Sequence, residues 1–240
     1  MTARSPRTAT VAIDAERSSE FGRRLRAWYR RNARDLPWRD TRDAYRILVS
    51  ELMLQQTQVA RVVPKYHEFL ATFPTLAAVA RATPKRVMEA WAGLGYYARA
   101  RNLHALARVV TDRGRSPAAT LPSTPDALRA LPGIGAYTAG AVASFAYEER
   151  APLVDTNVAR VLSRVFAPAL SPKRPRDLKR LWQIAEQTLP TRRATWTHNQ
   201  ALMELGALVC TARVARCGEC PVRAVCRTAT SDEGVRRGRG

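Results

Sequence analysis

Residues 131–140 read LPGIGAYTAG and form a glycine-containing turn between two apolar stretches. Gly133 and Gly135 are one residue apart, which permits backbone angles that are closed to other residues. The turn also exposes successive N–H groups at the start of the next stretch, where N–H groups and a helix dipole together bind an anion. A Gly-x-Gly turn alone more often only connects two helices. With Leu131 before it and the small residues up to Gly140 after it, this turn predicts an anion-binding site.

Apolar residues recur at helical spacing on both sides of this turn and along almost the whole chain. Short turns containing Pro or Gly separate the stretches, and no alternating run is long enough to predict a sheet. The predicted helices are Phe21–Arg31, Tyr45–Val63, Thr75–Ala82, Pro84–Trp91, Ala98–Arg113, Thr124–Leu131, Ala136–Tyr147, Asn157–Phe166, Arg176–Gln187 and His198–Val209. We therefore predict an all-α fold. In it, residues 124–147 form a helix-hairpin-helix element, a motif that contacts the DNA backbone without reading its sequence.

The charge of the chain favours a polyanionic partner. Its 240 residues include 40 Lys or Arg against 20 Asp or Glu, a formal net charge of +20. Neutralising phosphates releases counterions, so such a surface binds nucleic acid in a salt-sensitive way. An anionic membrane surface is an alternative, but no basic helix with a bulky apolar face favours it, and no run approaches the ~18 apolar residues of a membrane span. Codon bias explains Arg in place of Lys but not the excess of basic residues.

Both ends of the chain are polar and lack helical periodicity. Residues 1–19 and 228–240 are predicted to be disordered tails. The first segment has no apolar core of a secretion signal. Its basic residues and its Ser and Thr leave an organellar leader as an alternative.

Four cysteines lie close together near the end of the chain. They are Cys210, Cys217, Cys220 and Cys226, separated by six, two and five residues. Such clustering predicts a metal site rather than the spread disulfide framework of a secreted protein. Structural zinc sites usually have two close pairs of Cys or His, whereas here one close pair has two outlying thiols. The spacing favours an iron–sulfur cluster over zinc, with cysteines that bind no metal as a third alternative.

Glu51 lies in the middle of a predicted helix, and Ile47 and Leu54 share its face. A carboxyl group on such an apolar face loses solvation and keeps its proton, which suits a general acid. The alternative is a Glu that reaches solvent or pairs with an arginine.

Asp155 follows an apolar stretch and precedes the helix that begins near Asn157. A helix N-terminus favours the ionised carboxylate, and a simple helix cap is the alternative interpretation. The two environments therefore differ in the direction expected for an acid and an anionic partner.

Seven stretches match one protein family in order. They are Leu36–Arg39, Ser50–Thr57, Gly93–His104, Leu131–Gly140, Val154–Val158, Asn199–Cys210 and the cysteine loop. The chain resembles the helix-hairpin-helix DNA glycosylases with a 4Fe–4S cluster, most closely the adenine-specific mismatch glycosylases, from about Phe21 to Cys226.

This resemblance implies two helical domains with the active site in the cleft between them. Residues 20–44 and 150–227 would form the iron–sulfur cluster domain, and residues 45–149 a six-helix barrel domain that includes the hairpin. The four cysteines would be the cluster ligands. Leu131, Gly133 and Gly135 would hold the DNA backbone. A mispaired base is the cheapest to extrude from the duplex, so the mispair itself helps to select the target.

The resemblance also implies roles for individual side chains. Glu51 would protonate the adenine ring nitrogen, and Asp155 would stabilise the cationic sugar. Tyr137 and Asn157 fall at positions that line the same site. Further residues would contact the substrate: Arg39 and Gln200 near the extruded base, and Gln56 and Tyr96 at the base stack beside the mispair. Each has a plain alternative, such as core packing for Tyr96.

Three enzyme hypotheses compete within the family. In the branch that forms a Schiff base, a lysine stands where this chain has Tyr137, so we expect a monofunctional glycosylase with little lyase activity. Enzymes that remove thymine or uracil opposite guanine also have tyrosine there. The stretches around Gln56 and Tyr96 favour adenine opposite guanine or 8-oxoguanine, with thymine or uracil as the alternative. A catalytically silent DNA-binding protein is the alternative from another class.

Two departures from the family pattern affect specificity. Many adenine glycosylases carry a nudix-like domain that senses 8-oxoguanine, and because the chain ends soon after the cysteine loop we expect it to lack this domain. Thr156 stands where the family often has glycine. The partner we expect is double-stranded DNA with a mispaired or damaged base, and not a membrane. We also expect a monomer and, if the source is bacterial, a cytoplasmic protein associated with the nucleoid.

Overall fold

The computed structural model describes residues 12–112, 115–116, 119–191 and 193–230. Within these ranges the chain forms α-helices and one 3₁₀ turn without any β-strand, and a single isolated β-bridge pairs Cys210 with Ala215. The predicted all-α fold is therefore confirmed. No helix in the described part is long and apolar enough to cross a membrane.

The chain divides into two compact units. The middle unit is Arg34–Ala151, and the terminal unit comprises the described residues of Met1–Ala33 and Pro152–Gly240. Residues 34–44 thus lie in the middle unit, whereas the sequence placed them with the cysteines. The reason is an aromatic anchor: buried Trp38 packs edge-on against Tyr66, with ring centroids 5.5 Å apart.

The middle unit is built around an aromatic core. Phe69, at the centre, contacts Trp91 edge-on at 5.5 Å and Phe73 at 5.1 Å between ring centroids. Its helices are α2 (Ala44–Leu54), α3 (Val59–Thr72), α4 (Leu76–Arg81), α5 (Pro84–Ala90), α6 (Ala98–Val110), α7 (Pro125–Arg129) and α8 (Ala136–Tyr147). Threonine side chains at positions 75, 83 and 124 cap α4, α5 and α7, which fixes where these helices begin.

One predicted helix, Tyr45–Val63, is wrong. The structure has two helices there, because α2 ends at Leu54 and α3 begins at Val59. Gln56 between them has a φ of 55°, which no helix accommodates. Pro64, predicted to end the helix, lies inside α3. It removes one backbone hydrogen bond, which the burial of one face of α3 offsets.

The terminal unit has its own core. Phe21 is fully buried and packs edge-on against Phe166, with ring centroids 5.0 Å apart. The helices of this unit are α1 (Ala15–Asn32), α9 (Thr156–Phe166), α10 (Pro175–Thr188), α11 (Thr195–Leu208) and α12 (Arg227–Thr230), with a 3₁₀ turn at Arg223–Val225. α1 packs against α11, and α9 packs against both α10 and α11.

The predicted disordered tails are shorter than expected where the structure describes them. α1 already begins at Ala15, because the Asp14 carboxylate caps it by accepting from the Arg17 N–H at 2.7 Å. At the other end, Thr228 lies in α12, and its hydroxyl donates to the carbonyl of Arg164 at 2.7 Å. Residues 1–11 and 231–240 of the predicted tails lie outside the described residues.

Candidate functional site

Glu51 lies on α2, one turn before the helix ends, and its residue is 3% exposed. The apolar face around Ile47 predicted this burial, and α2 packs against α8. Gln55, just beyond the end of α2, donates from Nε2 to the hydroxyl of Thr138 at 3.4 Å. This contact ties the end of the Glu51 helix to the first turn of α8, next to half-buried Tyr137.

The glycine turn joins α7 to α8. Gly133 has a φ of +75°, and a Cβ there would lie 2.5 Å from the Cβ of Asn102 on α6, so only glycine fits. Gly135 is the N-cap of α8 with an extended φ of −86° and no atom within 4 Å of a built Cβ. The prediction of special backbone angles is therefore right for Gly133 and wrong for Gly135. Leu131 is half-buried, and Ile134 fixes the turn by packing inwards.

Gln56 and Tyr96 lie in two loops of the middle unit. Both have left-handed backbone angles, with φ of 55° and 48°, which are unfavourable for residues with a side chain. Gln56 is exposed, and Tyr96 is 60% exposed despite its large apolar ring. An exposed aromatic ring on a strained loop is typical of a binding surface and is not the core packing of the alternative interpretation.

The two residues predicted near the extruded base lie in different units. Arg39, in the middle unit, is half-buried and donates from Nη1 to the carbonyl of Arg34 at 2.8 Å. Gln200 lies on α11 in the terminal unit and is buried. The two carboxylates are divided in the same way, Glu51 in the middle unit and Asp155 in the terminal unit.

Asp155 is the N-cap of α9, and both of its carboxylate oxygens accept hydrogen bonds. Oδ1 accepts from the Val158 N–H at 2.7 Å, and Oδ2 accepts from Nδ2 of Asn157 at 3.1 Å. These two donors fix the orientation of the carboxylate at the start of α9. Thr156, the departure from the family pattern, is exposed. Asp155 is therefore both the cap of α9 and an oriented carboxylate.

Arg160, one turn further along α9, extends this arrangement. Its Nη2 donates to Oδ1 of Asn157 at 2.7 Å and to the carbonyl of Gly206 at 2.8 Å. Its Nε donates to the carbonyl of Cys210 at 2.8 Å. A continuous set of hydrogen bonds thus runs from Asp155 through Asn157 and Arg160 to the first cysteine. Nothing in the sequence alone identified Arg160.

Gly206, within α11, allows α9 to approach closely. A Cβ at this position would lie 2.7 Å from the Cβ of Asn157 and 3.2 Å from its carbonyl group. The sequence does carry a signal here, because a glycine inside a helix lowers its stability and often has a packing reason. Gly206 thus sets the position of Asn157, which orients Asp155.

All four cysteines line one cavity of about 520 Å³ in the terminal unit, together with side chains of α9 and α11. No group of three or more His, Cys, Asp or Glu within the described residues is placed to hold a metal ion. Burial raises the pKa of Cys220 to about 11, and the other three thiols add to this through their charges. Arg164 donates from Nη1 towards the sulfur of Cys210 at 3.4 Å. The four thiols thus line one cavity with a cationic donor beside it, and Cys217 is the exposed one of the four.

Comparisons with known proteins identify a family and relatives. Residues 49–187 match the family described as HhH-GPD superfamily base excision DNA repair protein. The chain is 48% identical over 200 residues to an adenine DNA glycosylase of Mycolicibacterium smegmatis, covering 82% of this chain and 66% of the relative. It is 44% identical over 225 residues to the adenine DNA glycosylase of Homo sapiens, covering 89% of this chain and 40% of the relative. The chain thus spans less than two thirds of the length of these relatives.

A solved structure is also similar. The structure of a thermostable thymine-DNA glycosylase superposes with a TM-score of 0.79 and 29% sequence identity. The match covers 89% of this chain and 98% of that chain. The similarity therefore includes nearly the whole of the described fold.

Proposed function

Because the chain belongs to the HhH-GPD superfamily of base excision DNA repair proteins, we propose that it removes adenine mispaired with guanine or 8-oxoguanine from duplex DNA. The observation that carries this proposal is the identity of 44–48% to relatives named adenine DNA glycosylase over more than four fifths of this chain. The exposed Tyr96 and Gln56 loops add to it, since they supply side chains able to enter a base stack.

The reaction breaks the bond between the sugar C1′ and the adenine ring nitrogen. Glu51, held in a buried position on α2, donates a proton to the adenine ring, so that the bonding electron pair leaves with a neutral base. The carboxylate of Asp155, oriented at the start of α9, stabilises the positive charge that develops on the sugar. Water then adds to C1′, loses a proton and leaves an abasic site.

The enzyme is proposed to be monofunctional. Strand cleavage in this family needs an amine that forms a Schiff base with C1′, and this chain has Tyr137 at that position. The lysines lie elsewhere: Lys65 and Lys85 in the middle unit pair with the carboxylates of Glu68 and Glu89, at 2.7 and 3.9 Å. We therefore expect strand breakage only after alkali.

Thymine or uracil opposite guanine is the second candidate substrate. The similarity to the thymine-DNA glycosylase structure, at 29% identity over nearly the whole chain, favours it specifically. Tyr137 is compatible with both substrates. Glu51 and Asp155 would then act on a pyrimidine, which leaves through its ring nitrogen N1 and offers carbonyl oxygens, rather than a purine ring nitrogen, to the acid.

A 4Fe–4S cluster held by Cys210, Cys217, Cys220 and Cys226 is part of the proposal. Four thiols that line one cavity supply the ligands such a cluster needs, and its body is larger than a single ion. The cluster would hold the loop between α11 and α12 in place. Iron and sulfide analysis of the purified protein tests it: about four of each per chain supports the cluster, and zinc without sulfide contradicts it.

The function is tested by single-turnover base release from duplexes that carry A opposite G, A opposite 8-oxoguanine, T opposite G, or U opposite G. Release of adenine, with strand breakage only after alkali, supports the proposal. Release of thymine or uracil with adenine untouched supports the second candidate instead. Strand breakage without alkali contradicts the monofunctional assignment.

The catalytic role of Asp155 is separable from its role as a cap. Asp155→Asn keeps an N-cap acceptor but removes the charge, so folding and DNA affinity should persist while base release falls by about 100-fold or more. Asp14→Asn is the matched control, because Asp14 caps α1 in the same unit by the same contact at 2.7 Å. An equal loss of activity in both variants would assign Asp155 to helix capping alone.

A further inference from the structure

Arg99 lies near the start of α6 and is 7% exposed. Its Nη1 donates to three backbone carbonyls at the end of α2 and just beyond it, with distances of 2.7, 2.8 and 2.7 Å to Leu52, Met53 and Gln55. Carbonyls at a helix C-terminus have no partner within the helix. One guanidinium nitrogen therefore caps the helix that carries Glu51.

The other nitrogens of Arg99 contact the loop that contains Tyr96. Nη2 donates to the carbonyls of Leu94 and Gly95, each at 3.0 Å, and Nε donates to the carbonyl of Tyr96 at 3.4 Å. Nη2 also lies 3.3 Å from the hydroxyl of Thr57, which follows Gln56. A single side chain thus contacts the backbone carbonyl just before Gln56, the side-chain hydroxyl just after it, and the backbone carbonyls from Leu94 to Tyr96.

The guanidinium also lies over two aromatic rings. Its central carbon is 5.7 Å from the ring centroid of buried Trp91 and 5.5 Å from that of exposed Tyr96. Arginine planes stack favourably on aromatic faces. The Tyr96 ring is thereby held on the guanidinium while most of its surface remains exposed to solvent.

The two loops need such a restraint. Gln56 and Tyr96 have φ of 55° and 48°, and a residue with a side chain holds such angles only when its surroundings impose them. Hydrogen bonds from a charged donor to carbonyls are stronger than those from a neutral one. Arg99 supplies them to both loops at once.

We propose that Arg99 is the positioning residue for base extrusion, holding the Gln56 and Tyr96 loops so that both side chains are ready to enter the base stack. The proposal rests on the proposed function, since it assumes that a base is extruded from duplex DNA. It predicts that loss of Arg99 impairs the extrusion step more than the bond-breaking step.

The test uses Arg99→Lys in the full chain. Lysine keeps the charge but has three donors on one nitrogen, so it cannot bridge both loops. Single-turnover base release is measured on a mismatch in an otherwise paired duplex and on the same mismatch with flanking mispairs that already unstack the target. We expect a loss of about tenfold or more on the first duplex and of less than about threefold on the second.

An equal loss on both duplexes would overturn the proposal, because it would assign Arg99 to the support of Glu51 through α2. No loss on either duplex would overturn it as well. Arg108→Lys is the matched control, since Arg108 is exposed in the last turn of the same helix. In a Tyr96→Ala background, Arg99→Lys should reduce release by less than about twofold further, because the two residues act together.

A second readout does not depend on which base is excised. The fluorescence of 2-aminopurine placed beside the mismatch rises when it is unstacked, and Arg99→Lys should lower this rise without lowering the affinity for undamaged duplex. If the wild-type chain releases no base, the proposed function fails while the fluorescence still tests Arg99. Should Arg99→Lys not fold, Thr57→Val removes one acceptor and should show the same pattern with a smaller loss.

Discussion

Replacing Gly206 by alanine adds one methyl group at the point where α11 meets the start of α9. The new Cβ would lie 2.7 Å from the Cβ of Asn157, and carbon atoms pack at about 3.5–4.0 Å. The new methyl group would also meet backbone atoms, because the carbonyl group of Asn157 is only 3.2 Å away. The start of α9 must therefore move by about 1 Å.

Stability and activity should respond differently. Overpacking costs about 1–3 kcal/mol, while alanine in a helix interior is favoured over glycine by about 1 kcal/mol. The free energy of unfolding should therefore fall by no more than about 2 kcal/mol. Base release depends on the position of Asp155, whose Oδ2 accepts a hydrogen bond from Nδ2 of Asn157 at 3.1 Å. A displacement of about 1 Å can lower the rate about 100-fold.

The assay compares single-turnover base release with urea unfolding for Gly206→Ala and for Ala207→Gly. Ala207 is exposed on the same helix, so its loss should lower stability by about 1 kcal/mol and leave the rate of base release unchanged. If Gly206→Ala retains the wild-type rate at wild-type stability, the close approach does not position Asp155, and the reasoning fails.

Three further predictions follow from other contacts. Gly133→Ala should weaken the affinity for undamaged duplex at least about tenfold by displacing the hairpin, whereas Gly135→Ala should leave it within about twofold. Fluorescence anisotropy measures both affinities, and equal losses would contradict the prediction. Arg160→Gln should lower the free energy of unfolding by about 1.5–3 kcal/mol and slow base release, and an unchanged rate would show that the orientation of Asp155 does not need it. Burial lowers the pKa of His198 in the folded chain to about 3, whereas in the unfolded chain the imidazole binds a proton below about pH 6.5. The free energy of unfolding should therefore fall as the pH is lowered, and between pH 7 and pH 5 the wild type should lose about 2 kcal/mol more than His198→Gln. Equal losses in the two proteins would contradict this.

The helices whose ends are set locally were predictable from the sequence. Thr124 and Pro125 begin α7, and α8 spans the predicted Ala136–Tyr147, because capping and turn residues act on their immediate neighbours. Tyr45–Val63 failed for the opposite reason. Its apolar periodicity continues through the break at Gln56, where the contacts of Arg99 on a later helix hold the chain in a non-helical conformation.

In the candidate site, too, some residues were predictable from local sequence and others were not. Glu51 and Asp155 carry local signals, an apolar helix face and a helix start, that the structure displays as burial and as a cap. Arg99 lies in the matched stretch Gly93–His104 and Arg160 in none, but no local signal reveals the contacts of either one. An arginine that binds carbonyls more than 40 residues away in sequence resembles any other basic helix residue until the fold is known. The chain has 40 basic residues, so their positions in the sequence do not distinguish these two arginines from the others.

The measurement that tests the central claim most directly is the identity of the free base released from one duplex that carries both A opposite G and T opposite G. Mass spectrometry of the released bases distinguishes adenine from thymine in a single reaction. Adenine released by the wild-type chain, and absent with Asp155→Asn, is the result predicted. Thymine as the released base would contradict adenine specificity, and no free base from either mispair would contradict the assignment of a glycosylase.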